Sequence, residues 1–242
     1  MSAVPRLAVD GISVHYGGVH ALRDVSFHIA AGEVLGLIGP NGAGKTTLIN
    51  AVTGIAHLSE GGVSLDGRRL DGLPAHRVAR AGISRTYQNI RLFPALTVEE
   101  NIRAGAFSRR GAIREHELQA LLERTAIAPT ELPHVASSRS YGTQRRIEIA
   151  RALAAEPRLL VLDEPAAGMN AQETAHLRGL IASVAREGAS VLLVEHDMAL
   201  VNAACDRVVV LNFGTVIAHG IPTAIARDPA VIEAYLGTSG AA

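Results

Sequence analysis

Short apolar runs rich in β-branched residues occupy Val34–Ile38 and residues 159–162, 191–194 and 208–211, with helix-like segments between them. In one such segment Leu177, Leu180, Ile181 and Val184 recur at helical spacing before Gly188 supplies a left-handed stop, so that helix covers one face of a sheet. The alternation predicts an α/β fold with a mostly parallel central sheet. Earlier in the chain, residues 7–14 and 25–29 have strand-like composition, and a short strand at 63–65 ends on the turn Asp66-Gly67. These predict a small antiparallel β layer. Between residues 96 and 139 the strand signal disappears. Polar helical sequence at 114–124 runs into a proline-containing stretch at 128–133, which reads as a helical insertion. The chain is therefore read as a single domain, 1–242, with a helical subdomain inserted at about 96–142. No internal repeat is visible, and the tail 238–242 is expected to fray.

Composition narrows the partners. A length of 242 residues supports one well-buried core with a small insertion. Lys plus Arg (23) equals Asp plus Glu (23), so the chain lacks the basic field that a nucleic-acid binder needs. Although 48% of the residues are hydrophobic, the apolar runs fall far short of the roughly 20 residues of a membrane span. The first ten residues show no signal-peptide pattern, giving the expectation of a cytosolic protein. A single cysteine, Cys205, excludes an internal disulfide and is expected to be a small buried residue.

Chemistry enters at Gly39-Pro40-Asn41-Gly42-Ala43-Gly44-Lys45-Thr46-Thr47, which follows an apolar strand and opens a helix, the context of a P-loop. Its glycines let successive N–H groups turn inward toward phosphate oxygens, reinforced by the positive end of the helix. Lys45 would meet the β- and γ-phosphates, and the Thr46 hydroxyl would ligate magnesium. A second acidic element, Asp163-Glu164, ends the apolar run at 159–162. Asp163 is the expected magnesium carboxylate, and Glu164 is the natural general base for an attacking water.

Kinases, GTPases, helicases and transporter ATPases all share those two elements. The segment Ser140-Tyr141-Gly142-Thr143-Gln144-Arg145-Arg146, ahead of the acidic strand, resembles the signature of ABC proteins. The resemblance implies a P-loop NTPase (RecA-like) core, ATP and Mg2+ as ligands, and a signature acting in trans on the ATP of a second ABC ATPase subunit, in a hetero- or homodimer. On this alignment Tyr141 stands at the common serine and Thr143 at the second glycine, so a hydroxyl for the γ-phosphate is expected to be missing. Gln88 is similar to the family's Q-loop glutamine, a metal or water contact. His196 matches the switch histidine, able to hold water in line. Tyr16 fits the aromatic that stacks on adenine, and Asn170 lies in the D-loop.

Within that family, residues 85–94, the Tyr141-Gly142 variant, 165–170 and 195–198 look like the ATP-binding subunits of branched-chain amino acid importers. This implies transmembrane permease subunits as partners, a solute-binding protein engaged only indirectly, and a place on the cytoplasmic face of the membrane. The insertion looks shorter than is usual in that subgroup. Arg91, Leu92 and Phe93 are the expected permease contact, with exposed Leu92 and Phe93 as an apolar anchor. The ending at 228–237 also resembles lipopolysaccharide-export ATPases, so an exporter stays open. So do a non-transport ABC ATPase and, less well matched to the signature, a small-molecule kinase.

Overall fold

The structure, a computed structural model, describes residues 4–109 and 111–236; the expected fraying at 238–242 lies outside them. Strands β1 (Leu7–Tyr16) and β2 (Val19–Ile29) form an antiparallel hairpin, joined by β4 (Glu60–Leu65) and the two-residue β5 (Arg68–Arg69) in a sheet of order β2-β1-β4-β5. A second sheet holds β3 (Val34–Ile38), β6 (Ile83–Arg85), β7 (Leu159–Asp163), β8 (Ser190–Val194), β9 (Arg207–Asn212) and β10 (Thr215–Gly220) in the order β10-β9-β3-β8-β7-β6. Its pairings are parallel except at β10, which returns antiparallel to β9.

Side chains alternate across a strand, so each central strand feeds two cores. On one side Leu35, Leu37, Val161 and Leu192 pack with Leu48 and Ile49 of α1 (Lys45–Val52), beneath Leu7, Val9 and Ile12 of the antiparallel sheet. On the other side Leu160, Leu162, Val191 and Leu193 meet Leu177, Leu180, Ile181 and Val184 of α6 (Ala171–Arg186), the face predicted for that helix. Gly188 follows with φ of +96°.

The insertion contains α3 (Val98–Ala104), α4 (Glu115–Thr125) and α5 (Tyr141–Leu153), whose apolar faces join the second core. Because α5 runs on to Leu153, a boundary at 142 falls in its first turn. Helix α2 (Ala75–Ala81) precedes β6; α7 (Met198–Ala204), α8 (Pro222–Ile225) and α9 (Pro229–Leu236) lie toward the C-terminal part, where Val201, Val208, Val210, Ile225 and Val231 form a third, smaller core. Cys205 is only partly buried: its Sγ lies against Gly36, and burial pushes the thiol up to about 12. The parallel arrangement matters most for chemistry, because the loops after β3, β6, β7 and β8 all leave the same edge of the sheet.

Candidate nucleotide site

The loop after β3 is shaped by sterics. Gly39 takes φ of +151°, and a β-carbon there would stand 2.1 Å from the Leu211 carbonyl oxygen of β9. Gly44, at φ +105°, is the N-cap of α1 and sits against the Ala21 carbonyl. Glycine alone adopts such positions without strain. The Lys45 ammonium donates to the carbonyls of Gly39 (2.6 Å) and Pro40 (3.1 Å). Burial lowers its pKa, against the opposing pull of Glu164 and Asp163. Residues 41–47 line an open cleft of about 520 Å³ together with Gln88 and Glu164. Pro40 lies behind it, bonded through its carbonyl to Lys45 and to the Ala43 N–H.

The opposite wall comes from residues the sequence reading did not single out, His20 and Phe213. Phe213 is exposed at φ +45° in the turn joining β9 to β10, and the Gly214 N–H donates to Ala43 of the phosphate loop. Its sequence signal was a large apolar side chain beside a turn glycine. Tyr16 is half exposed at the end of β1, opposite Val19, and stands outside the residues lining the cleft.

Glu164 follows β7 with φ of +47°, an uncommon conformation for a residue bearing a side chain and one found at strained functional positions. Its N–H donates to Val194 O at the end of β8 (2.9 Å). Gln88 Nε2 donates to Glu164 Oε2 at 3.0 Å, and His196 Nδ1 is 3.9 Å from the same oxygen. Two residues from two other loops therefore converge on the Glu164 carboxylate. Beside them the buried Glu195 accepts from the N–H groups of Ala166 and His196, and burial raises its pKa.

Asp163 is 6% exposed and paired through Oδ2 to Arg85 Nη2 at 2.9 Å; Arg85 Nη1 reaches Asn50 Oδ1 on α1 at 2.6 Å. This bridge between β6, β7 and α1 was also missed, since an arginine ending a three-residue strand carries no periodic signal. Asp163 Oδ1 stays outside the Arg85 pair, and Thr46 is among the residues lining the cleft. One carboxylate, one hydroxyl and the Gln88 amide make a sparse oxygen donor set, which fits Mg2+, an ion that keeps waters and takes phosphate oxygens.

The signature segment forms the start of α5. Ser140 is the N-cap of α5: its Oγ accepts the Thr143 N–H at 3.3 Å and lies 3.0 Å from Thr143 Oγ1. A serine hydroxyl thus does stand at the helix tip, supplied by Ser140, and Tyr141 occupies the first helical position. Its phenol turns inward to accept from Arg145 Nη2 (3.0 Å). Gly142 faces the Glu173 carboxylate, and Gln144 folds back to donate to Arg139 O. Asn170 caps α6 reciprocally with Glu173, so its Oδ1 is engaged within the chain.

Of the expected permease contacts, Phe93 is half exposed and lines a groove of about 420 Å³ with Arg91, Tyr87 and Ile55. Leu92 does not line it: its side chain is partly buried and packs against the second core, where apolar contact opposes exposure. Among the described residues, no helix is long and apolar enough to cross a membrane.

Residues 22–167 match the family model for the ABC transporter, and residues 215–241 match that for the branched-chain amino acid ATP-binding cassette transporter. The chain belongs to the ABC transporter ATP-binding family. It is 43% identical to the high-affinity branched-chain amino acid transport ATP-binding protein LivG of Salmonella typhimurium, over 96% of this chain and 98% of that one. The ABC cassette MJ1267 in its ADP conformation superposes with a TM-score of 0.85 at 28% identity, covering 96% of this chain and 99% of the other. The dimeric bacterial ABC cassette MJ0796 gives 0.81 at 26% identity, covering 89% and 98%. As a member of this family the chain is a nucleotide-binding ATPase subunit with a P-loop core.

Proposed function

We propose that this subunit hydrolyses ATP to drive import of branched-chain amino acids, docked on the cytoplasmic face of a membrane permease. The observation that carries the solute assignment is the match at 215–241. That stretch includes β10, α8 and α9, none of which lines the phosphate cleft, although Tyr235 of α9 accepts the Gly39 N–H at the start of the loop.

The geometry supports a division of labour. Backbone N–H groups at the N-terminus of α1 and the Lys45 ammonium hold the phosphates. Mg2+, held by Thr46 and Asp163 with Gln88 nearby, supplies charge neutralisation when bound. Glu164 takes the proton of the attacking water, and the Gln88 amide bonded to it fixes the orientation of the carboxylate. His196 stands close enough to hold the water in line. Ser140 and the first turn of α5 address the nucleotide of a second cassette, homologous or identical, so closure of the pair completes each site. Tyr16 stacks on adenine where the base leaves the cleft, and Asn170 meets the other cassette. Arg91 and Phe93 receive the permease; the solute is selected by a separate binding protein.

The test is reconstitution of the chain with its permease in vesicles, with binding protein and labelled leucine supplied outside. Uptake should require ATP on the cassette side and disappear with Glu164→Gln. Full ATP hydrolysis without leucine uptake, but with outward lipid movement, would transfer the assignment to an exporter.

A further inference from the structure

The least explained polar feature of the molecule lies on α5, starting at the end of the signature segment. Arg145 and Glu148 are both completely buried and paired at 2.9 Å. Burial pushes the Glu148 carboxyl above its usual range, so the pair is held at a desolvation cost. A buried ion pair is weak evidence of stabilisation, because apolar residues of similar size often serve stability as well. The other bonds of these two side chains show what the pair does.

Arg145 donates to the carbonyls of Tyr87 (2.6 Å) and Gln88 (2.7 Å). Glu148 Oε1 accepts the N–H groups of Tyr87 (3.3 Å) and Arg91 (3.1 Å). One side chain thus grips the carbonyls and the other the amides of segment 87–91, which carries Gln88 at its beginning and the groove residue Arg91 at its end. At the signature end Arg145 also donates to the Tyr141 hydroxyl, while the Tyr141 ring lies against Gly168, where a β-carbon would approach within 3.0 Å. Gly168 belongs to the loop that follows Glu164 and leads to α6.

We infer that the Arg145–Glu148 pair, with the Tyr141 hydroxyl, is a positioning device that ties the signature end of α5 to segment 87–91, so that closure over nucleotide moves Gln88 and the groove together. The inference rests on the reading of α5 as the nucleotide-sensing end of the subunit. Charged partners grip the segment through its backbone, so the link is independent of the side chains at 87–91.

The test is amide hydrogen exchange on the full chain carrying Glu164→Gln, with and without Mg-ATP. The double change Arg145→Met with Glu148→Gln replaces the ion pair by neutral groups while leaving an amide oxygen to accept the Tyr87 and Arg91 N–H groups. ATP should slow exchange at 141–146 in both backgrounds, but at 87–91 only where the ion pair is intact. In chains retaining Glu164, Tyr141→Phe should lower kcat about tenfold, the kinetic equivalent of one hydrogen bond to a charged group, with KM for ATP changed less than about twofold. An ATP response at 87–91 that survives the double change overturns the inference, as does its absence from the parent. So does a fall of Tm and kcat together with a matching rise of KM in Tyr141→Phe, which a purely structural role predicts. If the unmodified chain hydrolyses no ATP, the catalytic reading fails, while the exchange comparison still decides the link.

Discussion

At Gly39 the chain has no room for a β-carbon, because one would stand 2.1 Å from Leu211 O, and no backbone shift relieves this without moving β9. Gly39→Ala should therefore displace the phosphate loop rather than merely strain it. Strain of this kind costs on the order of 1–3 kcal/mol, so ATP should bind at least about fivefold more weakly by titration, while the sheet keeps its fold by circular dichroism. Ser140→Ala separates two roles of another single residue. Loss of an N-cap costs about 1 kcal/mol, a modest fall in Tm. A hydroxyl that also meets the second cassette's nucleotide should lower kcat by more than that loss implies, and kcat falling only in step with Tm would leave Ser140 a cap alone. The phosphate loop was legible in the sequence because its chemistry is local: glycines, a lysine and a hydroxyl within nine residues. Arg85, Glu148 and Phe213 were not, because their partners are distant in the chain and a lone arginine or phenylalanine has no spacing to reveal it. The alignment placed Tyr141 at the serine position of the signature, and what it did not reveal is that Ser140 caps α5, because capping depends on where the helix begins.

The elements read correctly from the sequence were those with a clear apolar period. Strands β3, β7, β8 and β9 and helix α6 bury the residues their patterns nominated. Strand β6 has three residues, and β10 alternates little in burial, so neither produces a signal strong enough to predict. Yet β6 delivers Arg85 to Asp163, and β10 leads to the helix that touches the phosphate loop. That helix, α9, places the Tyr235 hydroxyl to accept the Gly39 N–H at 2.9 Å, with the phenol pKa raised by burial and eased by that bond. Tyr235→Phe leaves the N–H of the buried Gly39 without that partner at the entrance to the loop. Such an orphaned group costs about 1–3 kcal/mol. KM for ATP should rise while kcat changes little, because the bond orders the empty and loaded loop without touching the reacting atoms. A fall in kcat at unchanged KM would contradict this reading.

On the scale of the whole molecule, two sheets divide the work. The antiparallel sheet closes the core over α1, and the parallel sheet brings four loops to one edge, so Lys45, Gln88, Glu164 and His196 meet without being near in sequence. The α/β class and the inserted helices were predictable from alternation. The convergence on Glu164 followed only from strand order, which apolar runs do not encode. The signature helix belongs to the inserted part, while the phosphate loop belongs to the sheet, and on the proposed function the first of one chain is the lid of the second in another. On that reading the reaction depends on protein concentration. Glu164→Gln should leave the phosphate loop, Lys45 and Ser140 intact, so ATP should drive the variant into a dimer visible by sedimentation, reversed when nucleotide is removed. Lys45→Ala in the same background should abolish the dimer, because the phosphates lose their fixed positive charge. A dimer that forms equally without ATP would place the contact outside the nucleotide sites and remove the lid role from Ser140.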